Sequence, residues 1–206
     1  MLPDRIRQSL NPIHDAIERT PLATAMISGT VTRDDYLFAL VQLRYLHQEL
    51  EDALASASHP LYHADQMARS AILQSDLNCL GYSGDGEPCD AARELGQQFH
   101  AWSLESPHRL IGALYVFEGS RMGSMALVRP VARALGLEVR PGHGVDYHID
   151  GMATRPQAWG RFKAEIASFA FDSREQNEIC ESAVQTMQTL HTLYAGAAQP
   201  ELATAR

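Results

Sequence analysis

The chain has 206 residues, 45% apolar and 20% charged, enough for one domain with a sizeable core and ordinary for a globular protein. A net charge of −8 argues against nucleic acid, which wants a basic face, and no apolar run approaches the roughly 20 residues needed to cross a bilayer. Met1-Leu2-Pro3-Asp4-Arg5 lacks the basic-then-apolar layout of a secretion signal, so the expected location is cytoplasmic. Lys163 is the single lysine, which means that any clamp for an anion must be mostly arginine. Cys79, Cys89 and Cys180 are odd in number and form no CxxC pair, which argues against a disulfide scaffold or zinc knuckle and for buried small hydrophobes.

Helical spacing dominates and β-branched alternation is nearly absent, so the expected class is all-α, a single multi-helix domain over 1–196 with a disordered tail over 197–206. Asn11 followed by Pro12 looks like an N-cap and first-turn proline, so a helix through Glu18 is expected to start or kink there. Thr32 with Asp35 opens a second helix, with an apolar stripe of Tyr36, Leu40, Leu43, Leu46, Leu50 and Leu54. A third spans about 62–80 and stops at Gly81. Pro88, after the turn-like Gly84-Asp85-Gly86, opens a fourth to about Leu104. Pro107 opens the fifth, which runs toward Gly136 with Gly119 and Gly123 inside it, and Pro130 should bend or divide it. A loop is expected over 137–154, then helices over about 155–171 and 173–196.

Two features could carry chemistry. His14 sits one turn before Glu18, so both lie on one helical face. A metal-bound histidine usually donates its other ring N–H to a carboxylate, carbonyl or water, and Glu18 could be that acceptor. The same spacing also describes an exposed His–Glu pair on an amphipathic helix. Gly119 and Gly123, four residues apart, each cost about 1 kcal/mol against alanine in a helix interior, so something must justify them. Close approach of backbone to a planar ligand is one justification, and close packing of two helices is the other. A helical histidine facing a glycine-thinned helix would hold a flat cofactor.

The remaining histidines are weaker candidates. His59 and His63 are separated by Pro60 and read as a surface pair, and His143 and His148 fall in the polar loop, where solvation is the default. His47, His100, His108 and His191 read as single helical histidines satisfied locally. Glu105-Ser106-Pro107-His108 has the ExxH spacing of di-iron carboxylate bundles, but Pro107 interrupts the helix and no second copy exists.

The chain resembles the bacterial, biliverdin-producing heme oxygenases. Their amino-terminal signature is matched by His14, Glu18, Pro21-Leu22, Ser28-Gly29, Tyr36 and Leu50-Glu51. Their distal signature, close to LYVxEGSxLGG, is matched by Leu114-Tyr115-Val116-Phe117-Glu118-Gly119-Ser120-Arg121-Met122-Gly123-Ser124. Gln74-Ser75-Asp76-Leu77 with Leu80-Gly81 resembles an intervening DL-x-x-LG, and Trp159 with Phe162 a W-x-x-F. These matches run in order from about residue 6 to 165. Three departures stand out: Ser124 replaces the second glycine of the distal pair, Leu10 replaces a threonine one turn before the histidine, and Asp146-Tyr147-His148-Ile149-Asp150-Gly151 replaces an aromatic-glycine segment.

The resemblance implies a heme oxygenase-like helical bundle that cleaves heme, both cofactor and substrate, to biliverdin, carbon monoxide and ferrous iron, using O₂ and an external donor such as a ferredoxin or flavoprotein reductase. It makes His14 the proximal iron ligand and Glu18 the group behind it. Gly119 and Gly123 become part of the distal helix over heme, Tyr115 a pocket residue, and Arg7 and Lys163 partners of the heme propionates. Ser120 or Ser124 would help anchor a proton-delivering water network, and a biliverdin-binding photoreceptor is a candidate recipient of the product. The expectation for Ser124→Gly is turnover raised or unchanged. Two alternatives share the fold: a non-catalytic heme binder or sensor, in which His148 or His143 could swing in as a sixth ligand, and a di-iron or thiamine-salvage relative.

Overall fold

Every regular element among the described residues is helical, in agreement with the spacing. The computed structural model describes residues 1–61, 67–84 and 86–196. In chain order the helices are α1 (Leu2–Ile17), α2 (Pro21–Ser28), α3 (Arg33–Ser56), α4 (Ser70–Cys79), α5 (Asp90–Glu105), α6 (Leu110–Leu135), α7 (Asp146–Ile149), α8 (Arg155–Ser168) and α9 (Ser173–Gly196). A 3₁₀ turn, Pro107–Arg109, leads into α6. The tail over 197–206, His63 and the start of the segment expected from 62 lie outside the described residues.

The central helix is α3. Thr32 caps it, its hydroxyl accepting the Asp35 N–H at 3.1 Å, and the stripe from Tyr36 to Leu54 is buried throughout. α4, α5 and α6 pack around it, while α9 lies against α1 and α6. The motif residues Glu51 and Asp76 serve this scaffold. The Glu51 carboxylate accepts the backbone N–H of Arg69 (2.6 Å) and of Ser70 (2.9 Å) and the Ser70 hydroxyl (2.6 Å), closing the start of α4. Asp76 does the same for α7, accepting from the backbone of Asp146 (2.7 Å) and Tyr147 (2.9 Å).

The contact of α6 with α9 depends on a glycine that spacing did not single out. A Cβ on Gly112 would lie 2.3 Å from the Ile179 carbonyl oxygen and 2.3 Å from the Ser182 Oγ. The two backbones meet there directly, so only a residue without a side chain fits.

Several expectations are corrected. Asn11 is no N-cap: α1 starts at Leu2 with Pro3 in its first turn and runs uninterrupted through Pro12. Buried Leu2, Ile6 and Leu10 anchor the helix ahead of Pro12, and this outweighs the one backbone bond a proline removes. Pro130 likewise fails to divide α6, which ends at Gly136 in the left-handed conformation. The expected 137–154 loop contains α7, α8 stops at Ser168 rather than near 171, and α2 was not anticipated as a helix. Cys79 is exposed and Cys89 and Cys180 are half-buried, so none is a fully buried hydrophobe.

Candidate functional site

The first wall of the site is the exposed side of α1. His14 follows the buried run Leu2, Ile6, Leu10, but its side chain stays 60% exposed, with Nδ1 3.7 Å from the Glu18 carboxylate. At that distance the two form a charge contact rather than a hydrogen bond, with the carboxylate on the Nδ1 side and Nε2 as the other nitrogen able to bind a metal. Arg7 lies seven residues earlier, about two turns back and on nearly the same face.

The second wall is α6. Gly119 is half-buried and Ser120 and Gly123 are exposed, while Phe117, Arg121, Ser124 and Val128 are buried on the opposite side. Among the described residues, a Cβ on Gly123 would meet nothing within 4 Å, and one on Gly119 would meet only the Trp159 ring at 3.4 Å. These glycines therefore do not serve helix packing, in contrast to Gly112. They thin an open face.

Aromatic residues join the two walls. The Tyr115 hydroxyl donates to the Pro3 carbonyl at 3.3 Å, tying α6 to the start of α1. Burial pushes its phenol up and the nearby Arg7 guanidinium draws it down. Its ring meets Trp159 edge-on at 4.8 Å, Trp159 stacks on Phe162 at 5.7 Å, and the Lys163 ammonium lies 5.4 Å from the centre of the Trp159 ring. Tyr115, Gly119, Trp159 and Lys163 thus adjoin one another, with the Arg7 guanidinium near enough to act on the Tyr115 phenol.

Behind α6 lies a buried polar cluster that sequence reasoning missed. Arg121 donates to Glu118 (3.1 Å) and to the Asp150 carboxylate (2.9 Å) and carbonyl (3.0 Å). Arg69 lies 3.7 Å from Glu118 and 3.6 Å from Asp150. Tyr147 and His47 are hydrogen-bonded at 3.1 Å, and Tyr147 also interacts with the Ser120 hydroxyl, which draws its phenol down against the burial that pushes it up to about 12. The signal available in the sequence was Glu118 and Arg121, one turn apart in an otherwise apolar helix. The Ser124 hydroxyl belongs to this cluster rather than to the open face: it donates to the Arg121 carbonyl at 3.0 Å and accepts from Arg155 at 3.2 Å.

The histidines also depart from expectation. His148 is buried, not solvated, and stacks on Tyr36 at 5.9 Å with a second ring contact to Tyr147, which holds it away from the role of a mobile sixth ligand. His59 is buried rather than at the surface, while His47, His100 and His108 bond across the fold to Tyr147, Glu49 and Glu178 instead of locally. His108 sits in the 3₁₀ turn, so Glu105 and His108 do not share a helix, and no group of metal-ligating side chains occurs among the described residues.

Burial sets a pH dependence. It pushes His47 down to about 3, and His59 and His148 down to about 4, from an ordinary 6.5. Their stabilisation is complete above about pH 6.5 and is lost as pH falls toward 4, because the unfolded chain binds protons that the fold refuses. Asp76 has the opposite sign: burial pushes it up to about 6 from 3.8 despite its two backbone donors, so its contribution is full below 3.8 and is lost as pH rises through 6. Three losses against one gain predict a thermal midpoint that falls as pH is lowered from about 6.5 to about 4.5. His148→Phe should flatten that fall, since neither ring nitrogen has a hydrogen-bond partner among the described residues. A midpoint independent of pH over this range, by calorimetry, would contradict the assignment.

A model of the heme oxygenase family matches residues 1–195. The chain belongs to the heme oxygenase family. Solved members share its fold. The heme oxygenase from Leptospira interrogans is 19% identical, with a TM-score of 0.84 over 94% of this chain and 98% of its own. Heme oxygenase-2 from Synechocystis, solved with heme and NO, is 22% identical, with a TM-score of 0.85 over 95% of this chain and 84% of its own. A TenA homologue from Pyrococcus furiosus lies further off, at a TM-score of 0.68 and 14% identity over 96% of this chain and 100% of its own. No curated protein sequence matches the chain significantly. Among the described residues, no helix of this family member is long and apolar enough to cross a membrane.

Proposed function

We propose that this chain is an active heme oxygenase of the cytoplasm, cleaving heme to biliverdin, carbon monoxide and ferrous iron with O₂ and electrons from a ferredoxin or flavoprotein reductase. The observation that carries the reading is the pairing of an accessible, carboxylate-backed His14 with a helix face at Gly123 that a Cβ would not fill. Bound heme would supply an iron that activates O₂ and a macrocycle that is itself oxidised.

The remaining work falls to the chain's own residues. His14 would hold the iron through an imidazole nitrogen, and Glu18, 3.7 Å from Nδ1, is placed to draw close and orient the ring so that Nε2 is the ligand. Gly119 and Gly123 would leave room for a flat ligand beside the α6 backbone. Ser120, exposed at the edge of that face, donates its hydroxyl to the Phe117 carbonyl at 2.8 Å and interacts with Tyr147 of the cluster behind α6, a site from which a proton could be passed. Arg7 and Lys163, gathered at the Tyr115–Trp159 edge, are the cations that would pair with propionates. A biliverdin-binding photoreceptor is one candidate destination for the product.

The activity is tested by hemin titration followed by turnover with a ferredoxin system and chromatography of the pigment. Loss of the Soret band with biliverdin as product is expected. A hemin complex whose Soret band survives those conditions would make the chain a binder, not an enzyme. Glu18→Gln should weaken hemin binding roughly tenfold, the lower end for loss of a ligand's supporting partner, without moving the thermal midpoint of an exposed pair. Unchanged affinity would remove Glu18 from the site.

A further inference from the structure

We propose that Arg155 is a positioning residue that latches the glycine-bearing stretch of α6 to the 146–151 segment, and that Ser124 stands in place of the family's second distal glycine because it is an acceptor for that latch. The proposal rests on the heme-site reading only for what the latch positions.

Arg155, 3% exposed, begins α8. Its Nη1 donates to the Arg121 carbonyl (2.5 Å) and to the Ser124 Oγ (3.2 Å), both on α6. Its Nη2 donates to the carbonyls of His148 (3.1 Å) and Asp150 (2.5 Å), on the other segment. Four acceptors on two elements thus meet one planar group, a geometry that a guanidinium satisfies and an ammonium does not. Ser124 gives its own proton to the Arg121 carbonyl, which leaves its oxygen as acceptor for Arg155. Burial and the neighbouring Arg121 push Arg155 down to about 10, so it remains charged near neutral pH.

Two of the departures from the family pattern, Ser124 and the Asp146–Gly151 sequence, are therefore two sides of one contact. Arg121 adds a second tie through Asp150. On the open side, among the described residues, a Cβ at Gly119 would meet only the Trp159 ring and one at Gly123 nothing within 4 Å, so this stretch of helix is held from behind. This gives the serine a positive role, so the expectation that Ser124→Gly leaves turnover unharmed is withdrawn.

The test is hydrogen–deuterium exchange on the full, heme-free chain, comparing wild type with Ser124→Ala, Ser124→Thr and Arg155→Gln. The alanine and glutamine variants should speed exchange by about tenfold over 119–126 and 146–151 while α3 and α9 keep wild-type rates, and threonine, which retains the hydroxyl, should restore both segments. The serine series decides the matter if Arg155→Gln fails to fold. With hemin bound, Ser124→Ala should broaden the ferric spectrum into more than one species where threonine gives one. Wild-type exchange in Ser124→Ala, or uniform acceleration that includes α3 and α9, overturns the latch. A wild-type chain that fails to bind hemin sinks the heme reading instead, and the exchange comparison still decides the latch.

Discussion

Replacement of His14 by alanine is expected to leave the protein folded and to remove the proposed iron ligand from its hemin complex. The side chain is 60% exposed and its partner is the equally exposed Glu18, so stability should change by no more than about 0.5 kcal/mol. The ferric Soret band should shift and lose intensity relative to wild type, and added imidazole should bring back the parent spectrum by supplying the missing ligand from solution. That rescue separates a lost ligand from a damaged pocket. A variant whose ferric and ferrous spectra equal those of wild type would end the assignment of His14 as ligand.

The second large effect is a contrast between glycines on one helix. Gly112→Ala would place a methyl carbon 2.3 Å from the Ile179 carbonyl oxygen and 2.6 Å from the Ala183 nitrogen, both backbone atoms that cannot rotate away. Either α6 separates from α9 or the variant does not fold. The expected loss is about 3 kcal/mol or more, well above the roughly 1 kcal/mol of helix propensity that alanine gains. Gly123→Ala meets open space, so it should collect that propensity and raise the thermal midpoint by roughly 2–4 °C. The same methyl group would stand where a planar ligand must approach, so hemin affinity should fall as stability rises. A Gly123→Ala protein that is both more stable and undiminished in hemin binding would show that the open face is not the ligand face.

Much of this architecture was legible in the sequence, and the misses have a common cause. The α3 stripe and its Thr32 cap depend on spacing within one helix, and both are found as expected. The errors at Pro12 and Pro130 arose because local rules register the lost backbone bond but not the buried side chains that hold the helix through it. Gly112 was passed over for Gly119 and Gly123 because its reason is the backbone of α9, some 70 residues away in sequence.

The site divides in the same way. His14 with Glu18, and Gly119 with Gly123, are four-residue relations, so spacing marks each pair as a candidate, while an exposed His–Glu pair or close helix packing fits the same spacing. The cluster behind α6 is built from contacts such as Arg69 to Glu118, Arg121 to Asp150 and His47 to Tyr147, which join distant segments and have no local pattern. Ser124 was visible as a departure, but the Arg155 that donates to its oxygen lies 31 positions later.

Heme bound between the exposed imidazole of α1 and the glycine face of α6 would be seen in a crystal structure of the chain grown with hemin. The expected result is an iron bonded to His14 Nε2, with the backbone around Gly123 over the opposite side of the ring and Arg7 and Lys163 at the propionates. Iron held by any other residue, or a porphyrin outside the space between these helices, would contradict it.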